Sequence, residues 1–413
     1  MKSCSPSSLL CTWTLVLVCC LSVLSLSARR NTSLPALKVR GNQLTDPRGR
    51  TVMLHGVMDT PNPYFNRYRW GHEVGDAAVP RCLSYFDRLF TAITDTLHGA
   101  YCNVFRLHLD PCWTNDPSVA PSGEEKGEAN ISQFSLQRLE KYFDLLYWPL
   151  IRRAMNHGLY VVVRPPGVCP HHLRSGDAYQ QYLLTVWRLV ARHDSVCRYA
   201  GQISIEMANE PVALTLADGQ TTSGALSDYF QPILNAIRKA GFKGIVWAPG
   251  TGWQSHYEDY AAHPLRDKNL GYAVHVYPGW YGASDDHCAS EDFIRQFGEQ
   301  VPVSRTHPIL ISEVDWSPEV PGKGHPNEWG AWVPGNMGTW ATASTSRWCR
   351  AFKAVLDHYG NLSMTLTSTD DYLDLDAYLR DSTVLPAFGA HPEACAAACF
   401  EWYRDYARRQ TFR

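Results

Sequence analysis

Eight short apolar, β-branched runs alternate along the chain with amphipathic segments of helical period, and this alternation restricts the fold more than any other feature. The runs are residues 51–57, 103–109, 159–165, 202–211, 244–250, 272–279, 308–316 and 361–368. Near-continuous apolar strands separated by helices are typical of a parallel sheet that helices cover. Eight such units favour α/β architecture of one kind, a single closed (β/α)8 TIM barrel, over an open doubly wound sheet.

The flanking segments fit this scheme. Residues 37–57 predict a small N-terminal β-hairpin, with its turn at Asp-Pro-Arg-Gly-Arg (46–50), that leads into the first strand. Residues 135–158 and 178–194 predict amphipathic helices, the first of which ends on a glycine. No Gly-x-Gly-x-x-Gly motif follows the first strand, which disfavours a dinucleotide-binding fold.

The N-terminus reads as a targeting segment. Lys2 precedes an apolar run from Leu9 to Leu26, and small residues follow that run. We predict a signal peptide over residues 1–28 and one folded domain over residues 29–413, so the protein is expected to be secreted and extracellular. Because the run is nearly long enough to cross a bilayer, an uncleaved N-terminal anchor is the alternative.

Cysteines and sequons agree with secretion. Nine of the 13 cysteines follow the signal peptide, and in an oxidising compartment most are expected to form disulfide bonds. Because nine is odd, at least one thiol should stay free. Asn31, Asn130 and Asn361 begin N-glycosylation sequons, which predicts a glycoprotein. No Cys or His spacing indicates a structural zinc site.

Charge and composition restrict the partner. The formal net charge of −2 offers no electrostatic basis for binding nucleic acid or an acidic membrane. The chain has 14 Trp, 21 Tyr and 14 Phe, and aromatic faces suit the C–H faces of neutral sugars. We expect a carbohydrate partner, no nucleic acid, no membrane contact beyond a retained anchor, and a monomer.

Polar side chains collect where the predicted strands end, although the strand bodies are expected to be apolar. These residues are Arg106, Arg164, Asn209, Glu210, His275, Tyr277, Glu313 and Asp315. In a (β/α)8 barrel the carboxyl ends of the strands carry the active site. The pattern therefore predicts a catalytic site at this end of the barrel.

Glu210 and Glu313 are each the first acidic residue at the end of their strand. Hydrolysis of a glycosidic bond needs two carboxyls, one to protonate the leaving oxygen and one opposite it. A separation of about 5–5.5 Å makes the second carboxylate a nucleophile, whereas about 6.5–9.5 Å leaves room for a water. This chemistry needs neither a metal nor an organic cofactor, and none is predicted.

Five segments, in this order and spacing, resemble the cellulase-like family 5 of glycoside hydrolases. They are LKVRGNQLTDPRGRTVMLHGV, NVFRLHL, IEMANEP, HVYP and ILISEVDW. The resemblance covers about residues 37–408 and implies a retaining (β/α)8-barrel enzyme. It implies that Glu210 is the acid/base and Glu313 the nucleophile.

The resemblance also implies supporting roles. Arg106 would hold the nucleophile ionised, Asn209 would contact the sugar 2-hydroxyl, and His275 and Tyr277 would surround the nucleophile and sugar. Two family positions differ here. Strand three ends in Arg164 where the family has a histidine, which leaves only His171 or His172 to substitute. Strand eight offers residues 367–370 (Thr-Ser-Thr-Asp) where the family has a sugar-stacking tryptophan.

Aromatic loops complete the prediction. Residues 316–340 form a long Trp-rich loop, and Trp316, Trp253 and Trp280 are expected to contact substrate at the rim. We therefore predict a secreted retaining β-glycosidase that hydrolyses a β-linked glucan, mannan or glycoconjugate. A catalytically inactive carbohydrate-binding barrel and a cell-wall transglycosylase are the alternatives.

Overall fold

A three-stranded antiparallel sheet precedes the barrel in the chain. The computed structural model describes residues 34–220, 223–283, 289–316, 345–388 and 395–411, with the backbone of 325–326 and 332–333. Lys38–Arg40, Gln43–Thr45 and Thr51–Val52 pair in that order. The predicted turn at 46–50 is confirmed, and the Asp46 carboxylate accepts the Arg48 and Arg50 N–H groups, each at 2.9 Å.

All eight predicted strands are present, and they close into one parallel barrel. They are β1 His55–Asp59, β2 Val104–His108, β3 Tyr160–Arg164, β4 Ile203–Glu206, β5 Val246–Pro249, β6 Leu270–Val276, β7 Ile309–Val314 and β8 Ser363–Leu366. Pairing of Met364 with His55 joins β8 to β1 and closes the ring. Closure confirms the barrel and excludes the open sheet.

Helices cover the outside of the barrel. They are Val79–Ile93, Pro111–Thr114, Leu136–Tyr142, Trp148–Asn156, Ala178–Arg192, Asp194–Arg198, Ala225–Lys239, Thr251–Gln254, Glu258–Ala262, Ser290–Gln300, Thr345–Tyr359, Leu375–Asp381 and Cys395–Thr411. A π-helical turn at Phe143–Tyr147 joins the third to the fourth. Ser135 and Asp177 cap the N-termini of two helices that the sequence predicted.

Two further short pairs lie outside the barrel. His172–Arg174 and Ala213–Thr215 pair in parallel, after β3 and β4 respectively. His325–Pro326 and Trp332–Val333 pair antiparallel.

The barrel interior changes character along its axis. Ten apolar residues fill its amino-terminal end and are called the floor here: Leu37, Leu44, Leu54, Val104, Tyr160, Val162, Ile245, Trp247, Ala273 and Leu310. The antiparallel sheet contributes Leu44, and Leu37 directly precedes the first strand of that sheet. Because side chains alternate along a strand, Val104 of the floor and Arg106 near the carboxyl end share one face of β2. The polar groups therefore sit directly above an apolar base.

The expected disulfide bonds are not formed among the described cysteines. Cys82, Cys102, Cys112, Cys169, Cys197, Cys349, Cys395 and Cys399 are all free thiols in the structure. Pairing requires specific Cα separations that residue counts do not supply. Cys288 lies outside the described residues.

The described part of the chain contains no helix with the length and apolarity that a membrane span needs. The signal peptide and the Asn31 sequon lie outside the described residues. The Asn130 amide nitrogen donates to the Ser122 and Glu125 carbonyls, and that of Asn361 donates to the Asn42 carbonyl. Glycosylation at these two sequons stays a prediction.

Candidate active site

Six of the predicted site residues meet at the carboxyl ends of β2, β4, β6 and β7. They are Arg106, Asn209, Glu210, His275, Tyr277 and Glu313. Only Glu210 among them is more than slightly exposed. The barrel thus gathers side chains that are up to about two hundred residues apart in sequence.

Arg106 is the centre of this group. It is fully buried, yet each of its five N–H groups has a partner. Nε and Nη2 donate to the Glu206 carboxylate at 2.6 and 2.9 Å, and Nη2 also donates to Asn209 Oδ1 at 2.8 Å. Nη1 donates to Glu313 Oε1 at 2.7 Å and to the Met58 sulfur at 2.6 Å.

The electrostatics of Arg106 keep it cationic. Burial by itself lowers the pKa of this guanidinium, but the charges of Glu206 and Glu313 raise it above the ordinary value. A buried cation is tolerated only when it is paired and fully hydrogen-bonded. Arg106 meets both conditions and therefore acts as a fixed positive charge beside Glu313.

Glu206 is a functional residue that sequence reasoning missed. The prediction of apolar strand bodies is wrong at this position, because Glu206 is a fully buried residue of β4. Besides Arg106, it accepts hydrogen bonds from Gln254 and Ser312, each at 3.2 Å. The available signal was Arg106 itself, since an arginine inside a barrel requires a carboxylate on a nearby strand.

A β-bulge directs Glu313 into the barrel. Val274 pairs with Ile311, whereas the next residue of β6, His275, pairs with Glu313, so Ser312 is the extra residue of β7. Without this insertion, alternation would place Glu313 on the same outward face as Ile311. Bulges of this kind re-aim one side chain, and here the side chain is a candidate nucleophile.

Glu313 is held ionised. Its Oε1 accepts from Arg106 at 2.7 Å, and its Oε2 accepts from the Tyr277 hydroxyl at 2.7 Å. Burial alone would raise the pKa of Glu313, but the electrostatic effects of His275, Arg106 and Arg164 outweigh burial and lower it to about 2. Glu313 is therefore a carboxylate at any pH near neutrality.

Glu210 lies opposite Glu313 and differs from it in environment. Its side chain is 25% exposed, and its Oε1 lies 3.1 Å from His275 Nδ1. One carboxylate oxygen of Glu210, one of Glu313 and one ring nitrogen of His275 all lie within 4.8 Å of one another. This separation is shorter than the about 6.5–9.5 Å of an inverting pair and fits a retaining pair.

The same three atoms have a spacing that a metal ion could use. Glu313, however, already has the Arg106 guanidinium as its cation at 2.7 Å. A second cation at this point would be repelled by Arg106. The arrangement suits catalysis by the two carboxyls better than metal binding.

A pocket of about 850 Å3 opens above the carboxylates. Its lining includes Asn209, Glu210 and Glu313, together with side chains of the loops after β1, β2, β3, β5 and β8. Asn209 uses its oxygen to accept from Arg106, so its amide nitrogen remains the group that can donate to a ligand. The pocket is large enough for a sugar unit and its neighbours.

The family model for cellulase (glycosyl hydrolase family 5) matches residues 85–331, which is more than half of the chain. The chain belongs to glycosyl hydrolase family 5. The protein is thus a glycoside hydrolase, as the sequence predicted. No curated protein matches the sequence.

Solved structures agree at the level of the fold. A β-glucanase from Saccharophagus degradans has 16% sequence identity and a TM-score of 0.56, with 92% of this chain and 96% of that chain covered. The catalytic domain of an endoglucanase from Thermobifida fusca has 16% identity and a TM-score of 0.54, with 91% and 98% covered. These neighbours share the (β/α)8 barrel.

This family 5 barrel departs from the family pattern at the end of strand three. Arg164 lines the pocket there and donates to His108 Nδ1 at 3.0 Å and to the Gly167 carbonyl at 2.7 Å. Burial, with Arg164 and Arg106 nearby, lowers the pKa of His108, so the imidazole is neutral. His171 also lines the pocket, whereas His172 lies in a short strand outside it. The pair Arg164 and His108, which spacing did not suggest, occupies this position.

At the second departure, the end of strand eight, Thr367 and Ser368 line the pocket. Thr367 donates to the Asp371 carboxylate at 2.9 Å. Asp315, which the sequence also placed at a strand end, is buried among these groups near Cys395. Burial and the charge of Asp371 raise its pKa well above the ordinary value.

The structure places the predicted aromatic residues differently from one another. Trp253 lines the pocket and is 39% exposed. Trp280 packs edge-on against Tyr277, with ring centroids 5.2 Å apart, and is not among the described residues that line the pocket. Phe65, which sequence reasoning missed, lines the pocket and is 49% exposed.

The prediction that Trp316 contacts substrate is wrong. The residue is fully buried, and its ring packs against Trp348, Trp402 and Phe352 at centroid distances of 5.0, 5.7 and 5.9 Å. Large aromatic side chains are more often core than site, and sequence spacing does not decide between the two. The side chains of Trp329, Trp332 and Trp340 lie outside the described part of the chain.

The loop after β2 adds acidic groups to the pocket that sequence reasoning also missed. Glu124, Glu125 and Glu128 line it, with Lys126 among them. Burial raises the pKa of Glu128 to about 7, although the Arg164 charge opposes this shift. The loop comes so close to Gly167, whose φ is +76°, that a Cβ there would lie 2.1 Å from the Glu128 carbonyl oxygen.

Proposed function

We propose that the protein is a secreted retaining β-glycosidase that cleaves a β-linked glucan, mannan or related glycoconjugate by double displacement. The observation that carries the proposal is the carboxylate pair, with Glu210 and Glu313 oxygens within 4.8 Å. Both carboxyls line the pocket, but Glu313 is held ionised, whereas the Glu210 side chain is the more exposed of the two. That asymmetry supports Glu313 as the nucleophile and Glu210 as the acid/base.

In the first step, Glu313 attacks the anomeric carbon while the bond from that carbon to the leaving oxygen breaks. Glu210 gives its proton to the leaving oxygen, so the alcohol departs neutral. Arg106 and Tyr277 hold the two Glu313 oxygens at 2.7 Å each and keep the attacking carboxylate in place. The products are a glycosyl ester on Glu313 and the released alcohol.

In the second step, Glu210 takes a proton from water, and the water oxygen attacks the anomeric carbon. The ester bond breaks, and Glu313 returns to its carboxylate form. Formation of the ester removes the negative charge of Glu313, which favours ionisation of Glu210 and prepares it to act as base. His275 contacts Glu210 at 3.1 Å and adjoins Glu313 at 3.6 Å, so it lies between the two groups that exchange roles.

The substrate class is supported by the pocket and by related proteins. Trp253 and Phe65 offer partly exposed aromatic faces, and sugars stack on such faces. The β-glucanase and the endoglucanase from the two organisms above have also been solved in complex with cellotetraose. A β-linked glucan is therefore the first substrate to test.

The decisive experiment is turnover on β-linked glucans, mannans and aryl β-glycosides by secreted wild type, Glu313→Gln and Glu210→Gln. We expect Glu313→Gln to lose activity by several orders of magnitude, and NMR to show the β-anomer as first product. Glu140→Gln, an exposed helical carboxyl that makes a surface ion pair, is the matched control and should keep full activity.

The other outcomes identify the alternatives. Binding without cleavage, equal in wild type and both variants, would indicate an inactive carbohydrate-binding barrel. Transfer to added oligosaccharide in preference to water would indicate a transglycosylase. An α-anomer as first product would contradict the retaining assignment.

A further inference from the structure

The backbone of Glu210 is held in a conformation that its own sequence disfavours. Glu210 has φ of 58°, in the left-handed region, and is followed by Pro211. A non-glycine residue is disfavoured in this region because its Cβ lies too close to the following carbonyl oxygen, and a following proline further disfavours helical backbone angles. Such a conformation persists only where neighbouring groups impose it.

The neighbouring group is the side chain of Gln254. This residue is fully buried, and its Oε1 accepts the Glu210 N–H at 2.7 Å. Its Nε2 donates to Glu206 Oε1 at 3.2 Å and to the Ala273 carbonyl at 3.1 Å. Since one partner can only donate and two can only accept, the orientation of the amide is determined.

The turn that carries Gln254 makes two more hydrogen bonds to the chain after Glu210. The Trp253 N–H donates to the Pro211 carbonyl at 3.0 Å, and the Gly252 N–H donates to the Val212 carbonyl at 2.9 Å. Gly252, Trp253 and Gln254 all have left-handed backbone angles, with φ of 58°, 55° and 62°. Two strained segments therefore fit together, and each holds the other.

We propose that Gln254 is a positioning residue for the acid/base step. It connects Glu210 to Glu206, which binds Arg106, which in turn binds Glu313, so one hydrogen-bonded chain sets the separation of the two carboxyls. This inference rests on the proposed role of Glu210 as acid/base. Its consequence is that loss of the Gln254 amide weakens proton transfer to the leaving oxygen and spares attack by Glu313.

The test compares leaving groups. A phenoxide leaving group needs protonation, whereas 2,4-dinitrophenoxide leaves without it. The substrates are phenyl and 2,4-dinitrophenyl β-cellobioside, or the β-mannobiosides if turnover identifies mannan. On the phenyl substrate, the kcat/KM of Gln254→Met should be about 10- to 100-fold lower than that of wild type. On the dinitrophenyl substrate, kcat/KM should fall less than about threefold, because protonation by Glu210 contributes little there. An equal loss on both substrates, or no loss on either, would overturn the proposal.

Gln180→Met is the matched control for removing a buried glutamine amide. Gln180 accepts the Gly176 N–H at 2.8 Å and donates to the Tyr229 carbonyl at 2.6 Å, away from the pocket lining. It should lower stability without changing the ratio between the two substrates. Glu210→Ala separates the two hypotheses. If that variant shows no leaving-group dependence, the acid/base assignment fails, whereas dependence in Glu210→Ala but not in Gln254→Met overturns only the present inference.

Gln254→Glu keeps the test valid if Gln254→Met does not fold. When protonated, the introduced carboxyl can accept from the Glu210 N–H and donate to Glu206, as the amide does. When ionised, it places a second negative charge beside Glu206. Activity on the phenyl substrate relative to wild type should therefore be highest at acid pH and fall as pH rises. A ratio that does not change with pH would contradict the positioning role.

Discussion

The two ends of the barrel interior are built from the same strands on opposite principles. At the floor, residues such as Val104, Val162 and Leu310 are buried and apolar. Two residues further along the same three strands lie Arg106, Arg164 and Ser312, which are also buried but are polar.

The difference separates what stabilises the barrel from what it does. Each fully buried aliphatic side chain of the floor contributes about 1.5–3 kcal/mol through the hydrophobic effect. A buried ion pair contributes little or nothing net, because desolvation offsets the attraction of the charges. The polar end is tolerated because its network is complete, and it is useful because it holds Glu313 ionised.

Removing the central cation, Arg106, should have the largest effect on the polar end. Arg106→Met leaves Glu206 and Glu313 buried without their counter-charge, so kcat/KM should fall about 100- to 1,000-fold. Loss of a buried ion-pair partner should also cost about 3–5 kcal/mol of unfolding free energy. Steady-state kinetics and urea denaturation measure the two effects separately.

The double variant Arg106→Met/Glu206→Gln is the control for Arg106→Met. It removes one of the two orphaned charges, so it should recover part of the stability but none of the activity. Recovery of activity would show that Arg106 acts only through Glu206 and not on Glu313.

The floor should show the opposite behaviour. Leu310→Ala removes a buried side chain from the base of β7 and should lower the unfolding free energy by about 2–5 kcal/mol. Below its melting temperature the variant should keep the kcat of wild type, since the polar end is unchanged. Leu97→Ala, at a leucine that is 92% exposed, should have almost no effect on stability.

A smaller change at the polar end tests one hydrogen bond to Glu313. Tyr277→Phe removes the donor to Oε2 at 2.7 Å, so the pKa of Glu313 should rise from its value of about 2. The acid limb of kcat/KM should then move to higher pH, and the maximum should fall about tenfold. Tyr260→Phe, whose hydroxyl donates to the Pro249 carbonyl at 3.1 Å, should leave the acid limb where it is.

The smallest expected effect concerns Asp59 at the end of β1. Burial raises the pKa of Asp59 to about 7, above its unfolded value of about 3.9. The folded protein therefore binds an extra proton between about pH 4 and 7, and the stability from this group is lost as pH rises through that window. Asp59→Asn imitates the protonated acid, so its Tm relative to wild type should increase from pH 4 to pH 7.

Asp267→Asn provides a control of opposite sign for the Asp59 prediction. Despite partial burial, the bonds from Arg238 lower the pKa of Asp267. Asp267→Asn should therefore be less stable than wild type at neutral pH, and the deficit should shrink as pH falls. If the Tm of both variants relative to wild type changed in the same direction with pH, the assigned pKa shifts of Asp59 and Asp267 would be contradicted.

Much of the polar end could be predicted because it follows from strand ends. Glu210 and Glu313 lie at or next to the ends of their apolar runs, and Arg106 lies two residues before the end of β2. In a parallel barrel all such strand ends meet. Glu206 lies inside its run, and Gln254 is 44 residues from the Glu210 N–H that it binds. Neither position follows from spacing, because both depend on pairing between strands that are distant in sequence.

The errors have the same origin. Trp316 follows the same strand as Glu313, and only packing against Trp348 and Trp402 shows that it faces the core. The disulfide prediction assumed that compartment and cysteine number suffice, whereas pairing depends on three-dimensional proximity.

The sequence by itself determined the eight strands, their order and the family, because hydrophobic periodicity and strand-terminal residues are local properties of the chain. Only the tertiary structure decided that a one-residue bulge at Ser312 turns Glu313 inward and that Gln254 holds Glu210. It also decided that one carboxylate oxygen of Glu210 and one of Glu313 lie within 4.8 Å of each other. These features depend on register between neighbouring strands, and register is a property of the closed barrel, not of any one segment.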